Sequence, residues 1–289
     1  MEEGMTYQFV VTGTERTSVK QFLFRHLPAF SRFALRQAAA AGACRVDGES
    51  VPASYRLRAG QVVEFSLDPE PQRTILAEEL PLDILYEDDS LAVVNKPAGM
   101  LVHPTARERH GTVANALLGH WRGENRRPTF PHRLDRDTSG VLVVAKDAAA
   151  ATSLALQFEN RQVHKTYVAL VAGLVAEPRE IDAPIGRVGG ETPPWQVRPE
   201  GRPSLSRLTP VEWQGTATLV NLEPVTGRTN QLRIHCASIG HPILGDRLYG
   251  GPPAPRLCLH ASQLEFRHPA SGREMTVETS RVYFNFQLK

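Results

Sequence analysis

The apolar positions divide the chain into two differently patterned parts. From residue 81 onward they gather in short runs: Ile84-Leu85-Tyr86, Leu91-Ala92-Val93-Val94, Val141-Leu142-Val143-Val144, residues 166–171, Ala217-Thr218-Leu219-Val220 and Leu264-Glu265-Phe266. Runs of this length, rich in β-branched residues, predict strands. Apolar residues recur at helical spacing over 112–120, 147–161 and 228–239, which predicts three helices. Strands outnumber helices and do not alternate regularly with them, so the expected class is α+β and not a doubly wound α/β sheet. A stretch rich in Pro and Gly, 183–203, reads as a long loop or lid.

Residues 1–68 read as a separate, smaller α+β unit. Ser18 is placed to cap a helix carrying Phe22, Leu23 and Leu27, and Ser31 opens a second one with Phe33, Leu35 and a run of alanines up to Gly42. Cys44-Arg45-Val46, an Asp47-Gly48 turn, and Gln61 through Phe65 then predict a hairpin and a further strand. Residues 69–80, with Pro69, Pro71 and the Glu78-Glu79 pair, lack periodicity and are expected to form a linker to a second domain over 81–289.

Composition narrows the class. With 41% apolar and 22% charged residues over 289 positions, the chain has ample material for a buried core. Three cysteines, Cys44, Cys236 and Cys258, without C-x-x-C spacing, argue against a disulfide framework and a cysteine-held zinc. The first residues show no basic segment leading into an apolar one, and no apolar run reaches the roughly 18 residues of a membrane span. A cytoplasmic protein that does not enter the membrane is therefore expected.

Charge adds a direction. Net charge is only +2, but of the 33 basic residues five are lysine, leaving 28 arginines, and arginine's planar fork suits phosphate and base stacking. Between Arg16 and Arg58, eight basic residues stand against Asp47 and Glu49. Arg32 and Arg36 lie four apart and so share one face of the second predicted helix. A basic ridge of this kind fits a nucleic-acid partner, although each arginine taken singly reads as well as a solvated helix position.

Two polar stretches stand out as candidate chemistry. His132-Arg133-Leu134-Asp135-Arg136-Asp137-Thr138-Ser139-Gly140 interleaves two carboxylates with two arginines and a histidine just before an apolar strand. Gly227-Arg228-Thr229-Asn230-Gln231-Leu232-Arg233-Ile234-His235 heads the last predicted helix, where amide groups and arginines could meet an anion. Read from residue types alone, the first is equally a turn knitted by surface ion pairs and the second an ordinary polar helix start. P-loop, dinucleotide-binding, serine-hydrolase and zincin motifs do not occur.

The two stretches together resemble the signatures of the RluA/RluD-type family of RNA pseudouridine synthases, H-R-L-D-x-x-T-S-G and G-R-T-H-Q-[IL]-R-[VI]-H, in the family's order. The segments from Tyr86 to Met100, Lys165-Thr166-Tyr167, His241 through Asp246 and Leu259-His260-Ala261 extend the resemblance over nearly all of 81–289. Residues 1–68 resemble, more loosely, the small RNA-binding domain named after ribosomal protein S-four. One departure is position 230, Asn where the family usually has His, which removes any role needing a charged imidazole.

The resemblance implies a mixed, largely antiparallel catalytic domain that isomerises uridine to pseudouridine in RNA, with no cofactor and no metal. Carried over by position, Asp135 is the nucleophile, attacking ribose C1′ directly or acting through a glycal route. Tyr167 packs against the uracil and serves in deprotonating C5. Arg233 pairs with Asp135 and holds its pKa down. Arg133 is the residue expected to fill the space left by a flipped nucleotide. His132, Arg136, Thr138, Arg228, Gln231, Arg32 and Arg36 are carried as further RNA-binding candidates, with a structural role preferred for His132 and for Lys96. Ribosomal RNA, of the large subunit, is the favoured partner, transfer RNA the other, and a monomer the default. Two other classes stay open: a non-catalytic RNA-binding or ribosome-assembly factor on the same fold, and a metal-dependent phosphodiesterase using Asp135 and Asp137.

Overall fold

The computed structural model describes residues 5–12, 17–27, 35, 38–39, 42–67, 75–105, 108–124, 126–189, 194–279 and 284. The chain forms two units, Met1–Thr74 and Ile75–Lys289.

In the first unit, Ser18 and Gln21 form a reciprocal capping box at the start of α1, Val19–His26, which satisfies backbone donors that the first turn leaves unpaired. Four antiparallel strands, β1 (Met5–Val10), β2 (Cys44–Val46), β3 (Glu49–Ser50) and β4 (Val62–Leu67), pair in the order β1-β4-β2-β3. Asp47 and Gly48 take φ of 52° and 83°, the left-handed pair that a two-residue hairpin turn requires. Asp47 also accepts from the Val62 backbone N–H at 2.8 Å, pinning the turn to β4. Val19, Phe22, Leu23, Cys44, Leu57, Val63 and Phe65 close the core. Arg32 and Arg36, with most of the second predicted helix, lie outside the described residues.

The second unit is organised by one sheet. Its strands are β5 (Asp83–Glu87), β6 (Leu91–Lys96), β7 (Ser139–Ala145), β8 (His164–Ala172), β9 (Arg179–Asp182), β12 (Leu205–Trp213), β13 (Ala217–Pro224), β14 (Leu259–Arg267) and β15 (Glu274–Glu278). They run β5-β6-β7-β14-β8-β13-β12-β9, with β15 on β14. The sheet is thus α+β in class, mixed and mostly antiparallel; β7 and β14 run parallel, through Ser139 opposite His260 and Gly140 opposite Ala261. A Cβ at Gly140 would stand 2.1 Å from the Ala261 carbonyl oxygen, so this crossing needs glycine.

β7 is buried along its whole length. One face packs Val141 and Val143 on Ala150 and Leu154 of α3 (Ala148–Glu159), and the other packs Leu142 and Val144 on Val113 and Leu117 of α2 (Val113–His120) and on Trp121, its C-cap. Thr112 and Asp147 cap these helices. A third core lies between β8, β13 and α4, Gln231–Ser238, around Leu170, Val220, Leu222, Leu232 and Cys236. The cysteines are free and buried. Among the described residues no helix is long and apolar enough to cross a membrane.

Three expectations need correction. Residues 75–80 are not linker but run along the second unit: the Leu76 carbonyl accepts from Asn115 Nδ2 at 2.9 Å, and Glu78 accepts from the Gly111 N–H at 3.0 Å. The 183–203 stretch contains a hairpin, β10 (Ile185–Arg187) with β11 (Trp195–Val197). The helix expected from 228 begins at Gln231, because Asn230 adopts φ 55° and breaks the helical path before it.

Candidate active site

Asp135 lies in the turn between the 129–134 segment and β7. The segment is fastened to the β7 edge, since Thr129 and Ala145 exchange backbone hydrogen bonds and the Val143 N–H donates to His132 Nε2 at 3.1 Å. From below, Lys96 at the end of β6 donates to the carbonyls of Pro97, Met100 and Arg136 at 2.9, 2.8 and 2.8 Å. This buried ammonium joins the 97–100 turn to the Asp135 loop. Burial lowers its pKa to about 8 even though Asp137 and Asp135 work to raise it. The Asp135 carboxylate remains 41% exposed and takes no hydrogen bond from a described residue, whereas the Asp135 carbonyl accepts from Thr138 N–H at 3.2 Å.

Two other elements reach this carboxylate. Arg233, in the first turn of α4, places Nη1 4.0 Å from Asp135 Oδ2. Its Nε and Nη2 donate to Asp246 at 2.7 Å each, a side-on pair in which the Asp246 side chain is wholly buried. Tyr167, in β8 opposite Ala261 and Leu222, packs against two of the cores. Burial, then the charge of Asp135, pushes its phenol well above the usual tyrosine range. At neutral pH Tyr167 is therefore an apolar platform with a protonated hydroxyl.

The expected depression of Asp135 is reversed. Burial raises its carboxyl above the ordinary aspartate value, outweighing the pull of Arg233, Arg133 and Lys96, with Asp137 adding to the rise. Arg233 is the foremost of the charges that lower it, acting through Nη1 while its Nε and Nη2 are engaged side-on by Asp246.

Matches to known proteins follow the same residues. The family model described as RNA pseudouridylate synthase covers residues 90–238, spanning Asp135, Tyr167 and Arg233. The chain belongs to this RNA pseudouridine synthase family. It is similar to a protein of Aquifex aeolicus named an uncharacterized RNA pseudouridine synthase, 39% identical over 96% of this chain and 94% of that relative. It is similar as well to the ribosomal large subunit pseudouridine synthase D of Xanthomonas campestris, 38% identical over 85% of this chain and 80% of the relative. Among solved structures, human RNA pseudouridylate synthase domain containing 1 superposes with a TM-score of 0.62 at 32% identity, covering 71% of this chain and 85% of that one. The protein is accordingly an isomerase of the RluA/RluD type that forms pseudouridine in RNA.

Several residues carried as RNA contacts face elsewhere in this synthase. His132 stacks on Phe158 of α3, with centroids 4.6 Å apart and planes at 19°, and burial, helped by Lys165, lowers its pKa to about 3. A neutral imidazole whose Nε2 accepts a backbone N–H is a structural part of the loop. Thr138 is buried, with no partner for its hydroxyl among the described residues. Arg136 pairs with Glu108 at the surface. Arg228 donates twice to the Pro203 carbonyl at 3.2 Å. Gln231 is buried and bonds Thr226, Leu205, Ser206 and the Arg228 N–H. Of the RNA-contact candidates that lie among the described residues, Arg133 alone is both exposed and without a hydrogen bond or ion pair to a described residue. Reasoning from sequence missed the roles of Asp246, Tyr249 and Asn230; Asp246 lies in the 241–246 segment that carries part of the resemblance, but nothing local marks its pairing with Arg233.

Proposed function

We propose that the synthase modifies uridine in large-subunit ribosomal RNA, in the cytoplasm, with Asp135 as nucleophile. The observation that carries this is a carboxylate that takes no hydrogen bond from a described residue, facing Arg233 Nη1 at 4.0 Å and close enough to Tyr167 for its charge to add to the rise that burial gives the phenol. A carboxylate so placed can attack ribose C1′ as the N1–C1′ bond breaks, or first take a proton and pass through a glycal. The released uracil then turns over Tyr167 and bonds through C5 to C1′, freeing Asp135. C5 loses its proton and N1 gains one, so atoms balance without a cofactor. Arg133, exposed and two residues before Asp135, is read as the side chain that enters the helix in place of the flipped nucleotide, whose extrusion costs about a few kcal/mol. The ribosomal preference is supported by the relatives named ribosomal large subunit pseudouridine synthase D.

The first unit is read as an S-four-like RNA-binding domain, with Lys20, Arg25, Arg45, Arg56 and Arg58 among its cations. Deleting residues 1–68 is expected to weaken RNA binding far more than it changes the melting of the remainder. Unchanged affinity for structured RNA would sink that assignment.

The deciding experiment is tritium release from C5-labelled uridine in unmodified large-subunit ribosomal RNA and, separately, transfer RNA. Wild type is expected to release label from the ribosomal pool with or without chelator, and Asp135→Asn to release none while melting like wild type. Release by the variant, or dependence on a metal, would overturn the reading. Release from transfer RNA alone would keep the chemistry and reassign the substrate.

A further inference from the structure

Arg233 is held on every side but one. Asp246 takes Nε and Nη2, the Tyr249 ring lies 5.1 Å from Cζ, and Nη1 donates to the amide oxygen of Asn230 at 3.2 Å. Nη1 is the nitrogen that faces Asp135. Asn230 therefore holds the one part of the guanidinium that looks into the site.

Asn230 is held in turn. Its Nδ2 donates to the Tyr249 hydroxyl at 3.1 Å, and that hydroxyl donates to the Trp195 carbonyl of β11 at 3.1 Å. The Tyr249 N–H also donates to Asp246 at 3.1 Å. An asparagine at a helix N-cap ordinarily turns its side chain back to cap the first turn. Here it makes no such bond and adopts left-handed φ of 55°, a conformation that asparagine tolerates better than most residues. The amide is thereby freed for Arg233 and Tyr249.

We propose that Asn230 and Tyr249 are positioning residues that aim Arg233 Nη1 at Asp135 and tie that aim to the β10–β11 hairpin through Trp195. The inference rests on the reading of Asp135 as nucleophile. An amide accepts from Nη1 and donates to Tyr249 at every pH. An imidazole at position 230, the residue the family usually carries, could do both only while neutral. The asparagine makes the link independent of pH.

Two variants isolate the link. Asn230→Gly keeps the left-handed backbone and removes the amide, and Tyr249→Phe keeps the ring under Arg233 and removes the hydroxyl. In both, the carboxyl carbon of Asp135, followed by NMR in the free protein and assigned through Asp135→Asn, is expected to titrate at higher pH than in wild type. The other groups facing Asp135, namely Arg133 and Asp137 of its own loop, Lys96 of β6 and Tyr167 of β8, are unchanged in both variants, as is Asp246 behind Arg233; Tyr249, which also feels the Asp135 charge, is unchanged in Asn230→Gly. In tritium release, kcat is expected to fall about tenfold with KM within about twofold, and the double variant to do no more than either single one. Asn230→His is expected to act like wild type near pH 8 and lose rate below about pH 6.5, as the imidazole charges. An unchanged Asp135 titration in both variants overturns the proposal whatever their activity, as does a loss of rate that only tracks a lower melting temperature. Absence of release by wild type strikes the reading of the site, while the titration still decides the inference.

Discussion

The loop carrying Asp135 and the helix start carrying Arg233 face each other across a 4.0 Å gap, yet their side chains are bound in opposite ways. On the Asp135 side the backbone is fastened, by Lys96 to three carbonyls and by His132 to Val143, and the Asp135 and Arg133 side chains are left open. On the Arg233 side the side chains themselves are the fastening: Arg228 to Pro203, Gln231 to four groups, Arg233 to Asp246. Only Nη1 is left facing Asp135. A carboxylate in the proposed role of nucleophile has to be reachable, so its loop is stiffened from beneath; a counter-charge has only to be aimed, so its own bonds can be saturated.

The sharpest way to break this asymmetry is Asp246→Ala. Arg233 is 12% exposed and Asp246 wholly buried, so removing one partner leaves a charge with little solvent to replace it, expected to cost about 3–5 kcal/mol. A urea melt should show the midpoint falling accordingly, and the folded fraction should lack activity because Nη1 is no longer aimed. A midpoint within error of wild type would mean that the pair is dispensable. Next in size is Gln231→Leu, which takes the Gln231 acceptor from the Arg228 N–H and from the Thr226 hydroxyl beneath the same helix start, while Ser206 keeps His235; about 1–3 kcal/mol is expected in the same melt, with a smaller loss of rate.

Sequence made one side of this comparison far more legible than the other. The uninterrupted apolar run of β7, the caps Thr112 and Asp147 and the Asp47-Gly48 turn all rest on local physics, and each element lies where its pattern puts it. The hairpin of β10 and β11 and the strands β9, β12 and β15 were not visible, because they are short or carry charged and exposed positions; β15 reads Glu274-Met275-Thr276-Val277-Glu278 with its ends and centre exposed. At the site, Asp135 stood out through a dense motif. Asp246 did not, since its importance comes from a contact 13 positions away in sequence, and nothing local marks an aspartate in a turn as the buried partner of an arginine. For the same reason Arg228, Gln231 and Thr138 looked like ligands: polarity is readable in sequence, but whether the fold has already engaged a polar group is not.

The smallest effects separate the two sides most cleanly. Arg133→Ala removes an exposed side chain that makes no hydrogen bond or ion pair with a described residue, so stability should stay within about 0.5 kcal/mol of wild type. Arg228→Ala removes two bonds to the Pro203 carbonyl, for which about 1 kcal/mol is expected. Against RNA the order inverts. If Arg133 enters the duplex beside phosphates, its loss should weaken binding and lower the slope of log affinity against log salt by about one, whereas Arg228→Ala leaves the slope near its wild-type value. Binding measured with each variant in the inactive Asp135→Asn background removes turnover from the comparison. Equal slopes for the two would mean that Arg228 leaves Pro203 to meet RNA, and the helix start would then be a second open side of the site.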